Sequence, residues 1–379
     1  MMGPRREPRH GRRRLIDGWR DFWFRRQPAH TLGLVRIAFG VLLFFWAVEL
    51  GQDLYARFGV TGFYPGPPSD PFLWSVFKFY PSDSALLVGW LVLMASSIAL
   101  IVGWHSRLAA ILVFVLVVSF ERRDPWIFNA GDGLIRIEAL FLALSPCGAA
   151  LSLDQCRRTG SFWSAQERNL WALRLMQVQV SIIYLSTVVA KLRGDTWQNG
   201  TAVAYTLRLE DMLILPVPWF VSDTLLIANV MTWGTLLTEL AIGVLVWNRR
   251  WRARVLWAGV ILHLSIMLTV VVGFFSLAMF VLYLAFVPAE RVAAFAGAIA
   301  RRAEAVRRRF TRRERLPAAV SDEIEWDDLV ETPYAPAEPE ARRVEPMPVF
   351  VVTRRSETAG GRPGRHAAPE TAPEPASFA

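Results

Sequence analysis

The chain has 379 residues, of which 53% are apolar, 12% aromatic and only 20% charged, and its mean hydropathy is +0.31. A soluble domain carries nearer a quarter charged residues, so a string of water-soluble domains is excluded, and two cysteines exclude a disulfide scaffold or a cysteine-rich metal cluster. The net charge of +9 is written almost wholly in arginine: of 42 basic residues only Lys78 and Lys191 are lysine.

Residues 1–30 form a basic N-terminus with nine arginines. Within it Leu15, Ile16, Trp19, Phe22 and Trp23 alternate with arginine at helical spacing, which predicts a short interfacial helix. Beside a membrane domain such a terminus points to anionic lipid as its partner, not nucleic acid.

Apolar stretches long enough to cross a bilayer recur from Thr31 to Pro288. They fall at 31–50, 84–103, 107–121, 133–151, 170–190, 222–247, 255–272 and 273–288. Residues 31–290 are therefore read as an all-α, polytopic helical bundle of about eight spans; seven remain open because only a turn near Gly273 separates the last two. No small-residue cleavage site follows the first span, which reads as a retained anchor. The segment GFYPGPPSDP (62–71) cannot continue a helix.

Residues 291–379 read as a basic helix to Arg315, an acidic patch DEIEWDD (322–328) and a disordered Pro/Ala/Glu/Arg tail. A tail of this kind suits recruitment of a cytoplasmic protein partner. Arginine placement sets the expected orientation: basic ends and the loop NRRWRAR (248–254) inside, connections near 51–83, 122–132 and 191–221 outside. Both termini are expected in the cytoplasm, with the chain in the cell membrane.

A charge at mid-bilayer depth costs at least about 2.5–3.5 kcal/mol on insertion scales. Arg36 and Arg174 lie close enough to span ends to snorkel to headgroups. Glu239 and His263 lie on the order of 12 Å deep on consecutive antiparallel spans and are expected to meet. They read either as a buried pair pinning two helices or as part of a proton path or ligand pocket. None of the five histidines sits at metal-ligand spacing, so no metal site is expected. Cys147 and Cys156 fall near the inner face, where thiols stay reduced.

The outer face gathers the most chemistry. The fifth span ends at Lys191, and the chain then presents Asp195, Trp197 and Asn199. The fourth span begins with Asn129, Asp132, Arg136 and Glu138. Lysine, with a pKa of about 10.4 in water, can lose its proton in apolar surroundings, whereas arginine cannot. Lys191 therefore reads either as a headgroup anchor or as a general base toward a lipid-soluble substrate. Arg136 and Asp132 read as an ion pair or as holders of an anionic group or carbonyl oxygen, and Trp197 also suits an interfacial aromatic belt.

These segments in this order resemble the HTTM (horizontally transferred transmembrane) domain family, the membrane domain shared with vitamin K-dependent gamma-carboxylases. The likeness rests on LGLVRIAFGVLLF (32–44), GDGLIRIEALFLALSPCGAALSLD (131–154), YLSTVVAKLRGDTWQNGTAV (184–203), Glu239 and GVILHLSIMLTVVVGFFSLAMFVLYLAFVP (259–288). The resemblance implies that Lys191 is a base acting on reduced vitamin K or another quinol, and Arg136 and His263 match family positions. The carboxylases carry a large extramembrane domain after the spans and can show a second lysine where this chain has Ala190.

The reading is a carboxylase-like membrane enzyme acting on a quinol, with Lys191 catalytic and Arg136, Asp132, Trp197 and Asn199 against the substrate. The alternatives are a transporter with Glu239 and His263 lining its path, and an anchoring or structural subunit.

Overall fold

A computed structural model describes residues 9–63, 74–169 and 171–314. In chain order the helices are α1 (Arg9–Phe24), α2 (His30–Gln52), α3 (Leu54–Phe58), α4 (Val76–Phe79), α5 (Asp83–Val102), α6 (Ser106–Arg123), α7 (Ala130–Leu144) and α8 (Leu153–Thr159). They continue with α9 (Trp171–Lys191), α10 (Asp195–Gln198), α11 (Ala202–Thr206), α12 (Trp219–Asp223), α13 (Leu225–Leu245), α14 (Arg252–Thr269), α15 (Phe275–Leu284) and α16 (Ala289–Glu314). Two three-residue strands, β1 (Arg26–Pro28) and β2 (Glu167–Asn169), pair antiparallel. The tail and acidic patch expected after Arg315, and most of the turn at 62–71, lie outside the described residues.

The architecture is an all-α membrane bundle. Helices α2, α5, α9, α13 and α14 are each long and apolar enough to cross a bilayer. The other three expected spans also coincide with helices but are less suited to crossing alone. Arg107, Glu121, Arg122 and Arg123 bring charge into α6; α7 has 15 residues and α15 only ten. Helix α15 meets α16 at a 97° bend, and together they make a sixth candidate, a broken span. The fourth segment ends at Leu144 instead of 151, because Ser145-Pro146 cannot extend the helix.

Local signals set the helix ends. Ser82 caps α5 by accepting from the Ala85 N–H at 3.2 Å, and Gly103 closes it in the left-handed region at φ 72°. A side chain at Gly103 would collide with Ser152 Cβ and the Arg36 guanidinium, so only glycine lets α2, α5 and the 145–152 turn converge. Helix α7 opens with a capping box, in which Asn129 accepts from Gly131 N–H and Asp132 from Asn129 N–H, both at 2.7 Å.

Helix α2 is the hub, packed on α5, α15 and α16, while α6 sits between α5 and α7 and α9 between α7, α13 and α15. Arg36 does not snorkel. It is fully buried and donates to the carbonyls of Cys147, Ala150 and Leu151, which ties α2 to the turn after α7. The reason is local: Gly103 and the bent 145–152 turn leave backbone carbonyls facing the helix, and a guanidinium satisfies several at once. Arg174 is half-buried, bonded to the Phe22 carbonyl at 3.2 Å and to Gln177 Oε1 at 2.7 Å.

Candidate functional site

The site is built where α9 ends. Tyr184 and Lys191 lie seven residues apart on α9 and so share a face. Opposite stands Glu239 on α13, and the Lys191 ammonium forms an ion pair with Glu239 Oε1. The lysine side chain is 24% exposed and the glutamate 9%. Trp197 in α10 lies over the amine, with Nζ 4.6 Å from the ring centroid, a cation–π contact.

Helix geometry places this pair well inside the bundle. Glu239 stands 14 residues after Leu225 and six before Leu245, so α13 continues about 21 Å on one side of it and about 9 Å on the other. The segment from 194 to 224 folds over the end of α9 instead of leaving Lys191 at a rim. Val203 N–H donates to Thr232 Oγ1 at 3.2 Å, and Leu213 bridges to Val270 after α14.

A second group of polar atoms adjoins the ion pair. Tyr184 Oη shares a hydrogen bond with His263 Nε2 at 2.8 Å and another with Tyr283 Oη. His263 Nδ1 faces Ser276 Oγ at 3.3 Å. Tyr184, His263, Tyr283 and Ser276 are all buried, and they join α9, α14 and α15. Gly259 permits this, since a Cβ there would lie 2.4 Å from Tyr283 Oη.

Among the described residues three buried carboxylates keep unpaired oxygens: Glu239, Glu138 and Glu121, the last on Oε1 while its Oε2 pairs with Arg136. Glu239 Oε2 has no hydrogen-bond partner beside its paired Oε1. Glu138, fully buried on α7, has none on either oxygen.

Glu239 and His263 are both buried, but each takes a different partner: Lys191 for the glutamate, Tyr184 and Ser276 for the histidine. Arg136 is ion-paired with Glu121 on α6, whose side chain is 4% exposed, beside a cleft of about 230 Å³. Asp132 is committed to the capping box and to Trp46 Nε1 at 2.8 Å, not to Arg136. Arg136 and Asp132 thus belong to the α6–α7 end, and the structure records no contact from either to Lys191. Asn199 is exposed, its backbone N–H closing the short α10 turn on Asp195. The described residues contain no cluster of His, Cys, Asp and Glu suited to a metal ion, and Cys147 and Cys156 are free thiols.

Tyr184, Ser276, Tyr283 and Glu121 were not singled out by sequence reasoning. A signal for three of them existed. Tyr184 precedes Lys191 by seven residues and Ser276 precedes Tyr283 by seven, a spacing that puts polar groups on one helix face.

A helical bundle with several bilayer-length apolar helices and ionised groups paired between them defines a polytopic integral membrane protein. The sequence model of the HTTM domain matches residues 24–290, well over half of the chain, and the chain belongs to the HTTM domain family. No curated protein matches it, and no solved structure does.

Proposed function

We propose that the chain is a carboxylase-like membrane enzyme that removes a proton from a lipid-soluble substrate of the quinol class, with Lys191 and Glu239 as a coupled acid–base pair. The observation that carries this reading is the asymmetry of Glu239, one oxygen on Lys191 and the other buried without a partner. A substrate hydroxyl approaching that oxygen supplies the missing donor and comes into reach of the amine.

The pair suits such chemistry because a proton can pass from Nζ to the carboxylate without changing the net charge of the site. The resulting neutral amine can take the proton of a substrate hydroxyl, leaving the substrate anion beside the restored ammonium. In a low-dielectric interior that ammonium stabilises the anion strongly. Trp197 covers the amine and limits water, and Tyr184 with His263 and Tyr283 forms the donor–acceptor chain that holds the proton set nearby.

We further propose that both termini face the cytoplasm of a cell membrane. Support comes from arginine placement: Arg107, Arg157, Arg158, Arg249 and Arg250 cluster around turns at the ends of α5, α7 and α13.

Membranes holding wild type, Lys191→Ala, Lys191→Arg and Tyr184→Phe, given reduced quinones, oxygen and bicarbonate, test the enzyme reading. Oxygen-dependent quinone epoxide is expected from wild type, lost in both Lys191 variants and reduced in Tyr184→Phe. Activity kept by Lys191→Arg overturns the base, because guanidinium does not deprotonate in this range. No turnover in wild type, together with solute flux abolished by Glu239→Gln, would replace the enzyme with a transporter.

A further inference from the structure

Away from the ion pair, a cleft of about 890 Å³ opens between the start of α6 and the turn after α7. Its charge is one-sided. Arg107, Arg157, Arg158 and Arg168 line it against a single carboxylate, Asp154. That carboxylate is already engaged, accepting from His105 N–H at 2.9 Å and from Ser106 N–H and Oγ at 2.7 Å each.

The arginines divide into two kinds. Arg158 is pinned by its own bonds to the carbonyls of Asp154 and Gly148, at 3.0 and 2.9 Å, and Arg168 is bonded to Gln166. Arg107 and Arg157 make no hydrogen bond or ion pair with any described residue, and both are exposed. The cleft is thus shaped by two fixed guanidiniums and offers two more to a ligand. Gly148 keeps it closely built: a Cβ there would lie 2.8 Å from Asp154 Oδ2 and 3.0 Å from Ser106 Oγ.

The remaining wall is apolar. Leu108 and Ile111 stand one turn apart on α6, with Leu144 from the end of α7, and they are 57%, 42% and 51% exposed. A ligand that fills the cleft therefore meets fixed positive charge at one side and open hydrocarbon at the other. Guanidinium pairs phosphate oxygens in bidentate fashion, and the apolar wall calls for an acyl chain, not for water.

We propose that this cleft binds the phosphate headgroup of an anionic phospholipid, with Arg107 and Arg157 on the phosphate and Leu108, Ile111 and Leu144 against the first part of the chain. It is distinct from the Lys191–Glu239 site and does not depend on any activity there. A soluble phosphate compound shares the headgroup chemistry but leaves the apolar wall uncovered.

The full chain, purified in mild detergent, is titrated by native mass spectrometry with short-chain phosphatidic acid and with phosphatidylcholine of the same chain length. Inorganic phosphate serves as competitor. Phosphatidic acid is expected to bind about tenfold more tightly than phosphatidylcholine, to lose that preference in R107Q/R157Q and to keep most of it in R107K/R157K. The thermal unfolding midpoint of each variant is read alongside, and R157Q alone serves if the double variant does not fold. An unchanged preference in R107Q/R157Q overturns the site. Displacement of the lipid by inorganic phosphate at equal concentration overturns the lipid as its occupant.

Discussion

The Lys191 ammonium on α9 is ion-paired with Glu239 on α13, and α13 runs on for about four turns beyond the level where α9 stops. Lys191 is therefore a member of a pair with Glu239, covered by the 194–224 segment, and not a free amine. Two consequences for function follow from that pairing: charge neutrality and an unused carboxylate oxygen.

Because both partners are largely withdrawn from water, removing one leaves the other uncompensated. Lys191→Met and Glu239→Gln are each expected to destabilise the folded protein by about 3 kcal/mol, less than for a fully buried pair because the lysine is partly exposed. The double variant should recover a large part of that loss. Denaturant unfolding in micelles measures the cycle, and strictly additive single effects would contradict a functional pair.

Glu138 presents the opposite case, a buried carboxyl with neither oxygen hydrogen-bonded. Replacing an unsatisfied buried polar group by an apolar one of similar size relieves its desolvation cost. Glu138→Leu is expected to raise stability by about 1–3 kcal/mol. A fall in the unfolding midpoint would show that Glu138 carries a structural partner or ligand.

Arg36 holds three carbonyls of the turn after α7. Arg36→Ala should cost on the order of 3 kcal/mol or more, since it leaves buried acceptors unsatisfied and opens a cavity. Arg36→Lys should recover little, because an ammonium on a flexible stem lacks the planar fork that spans separate acceptors. Full recovery by lysine would refute the clamp.

Asp154 supplies a pH dependence outside the spans. Burial pushes its carboxyl up, but the hydrogen bonds from Ser106 and His105 outweigh burial and hold it below its ordinary value of 3.8. A folded-state value below the unfolded one means that the stabilisation is present above the unfolded value and fades as pH falls through the folded one. The unfolding midpoint of the wild type should therefore drop more steeply below about pH 4 than that of Asp154→Asn. Parallel curves for the two proteins would exclude Asp154 as the source.

Much of this was legible in the chain itself. Length of apolar runs, set by bilayer thickness, and arginine-rich connections marked the bundle, and all eight apolar segments coincide with helices. The rarity of lysine drew attention to Lys191, and depth counting drew attention to Glu239 and His263, because helical rise per residue is fixed. What periodicity does not contain is lateral neighbourhood. That Lys191 meets Glu239, that His263 meets Tyr184, and that Arg136 meets Glu121 depends on which helix faces pack together. So does the burial of Arg36, which sequence position near a span end assigned to the headgroups. Alone, the sequence determined which segments leave water and which charges go with them, since transfer free energy is a property of composition. Only the tertiary structure decided how those charges pair, because pairing depends on a few ångströms across helices far apart in the chain.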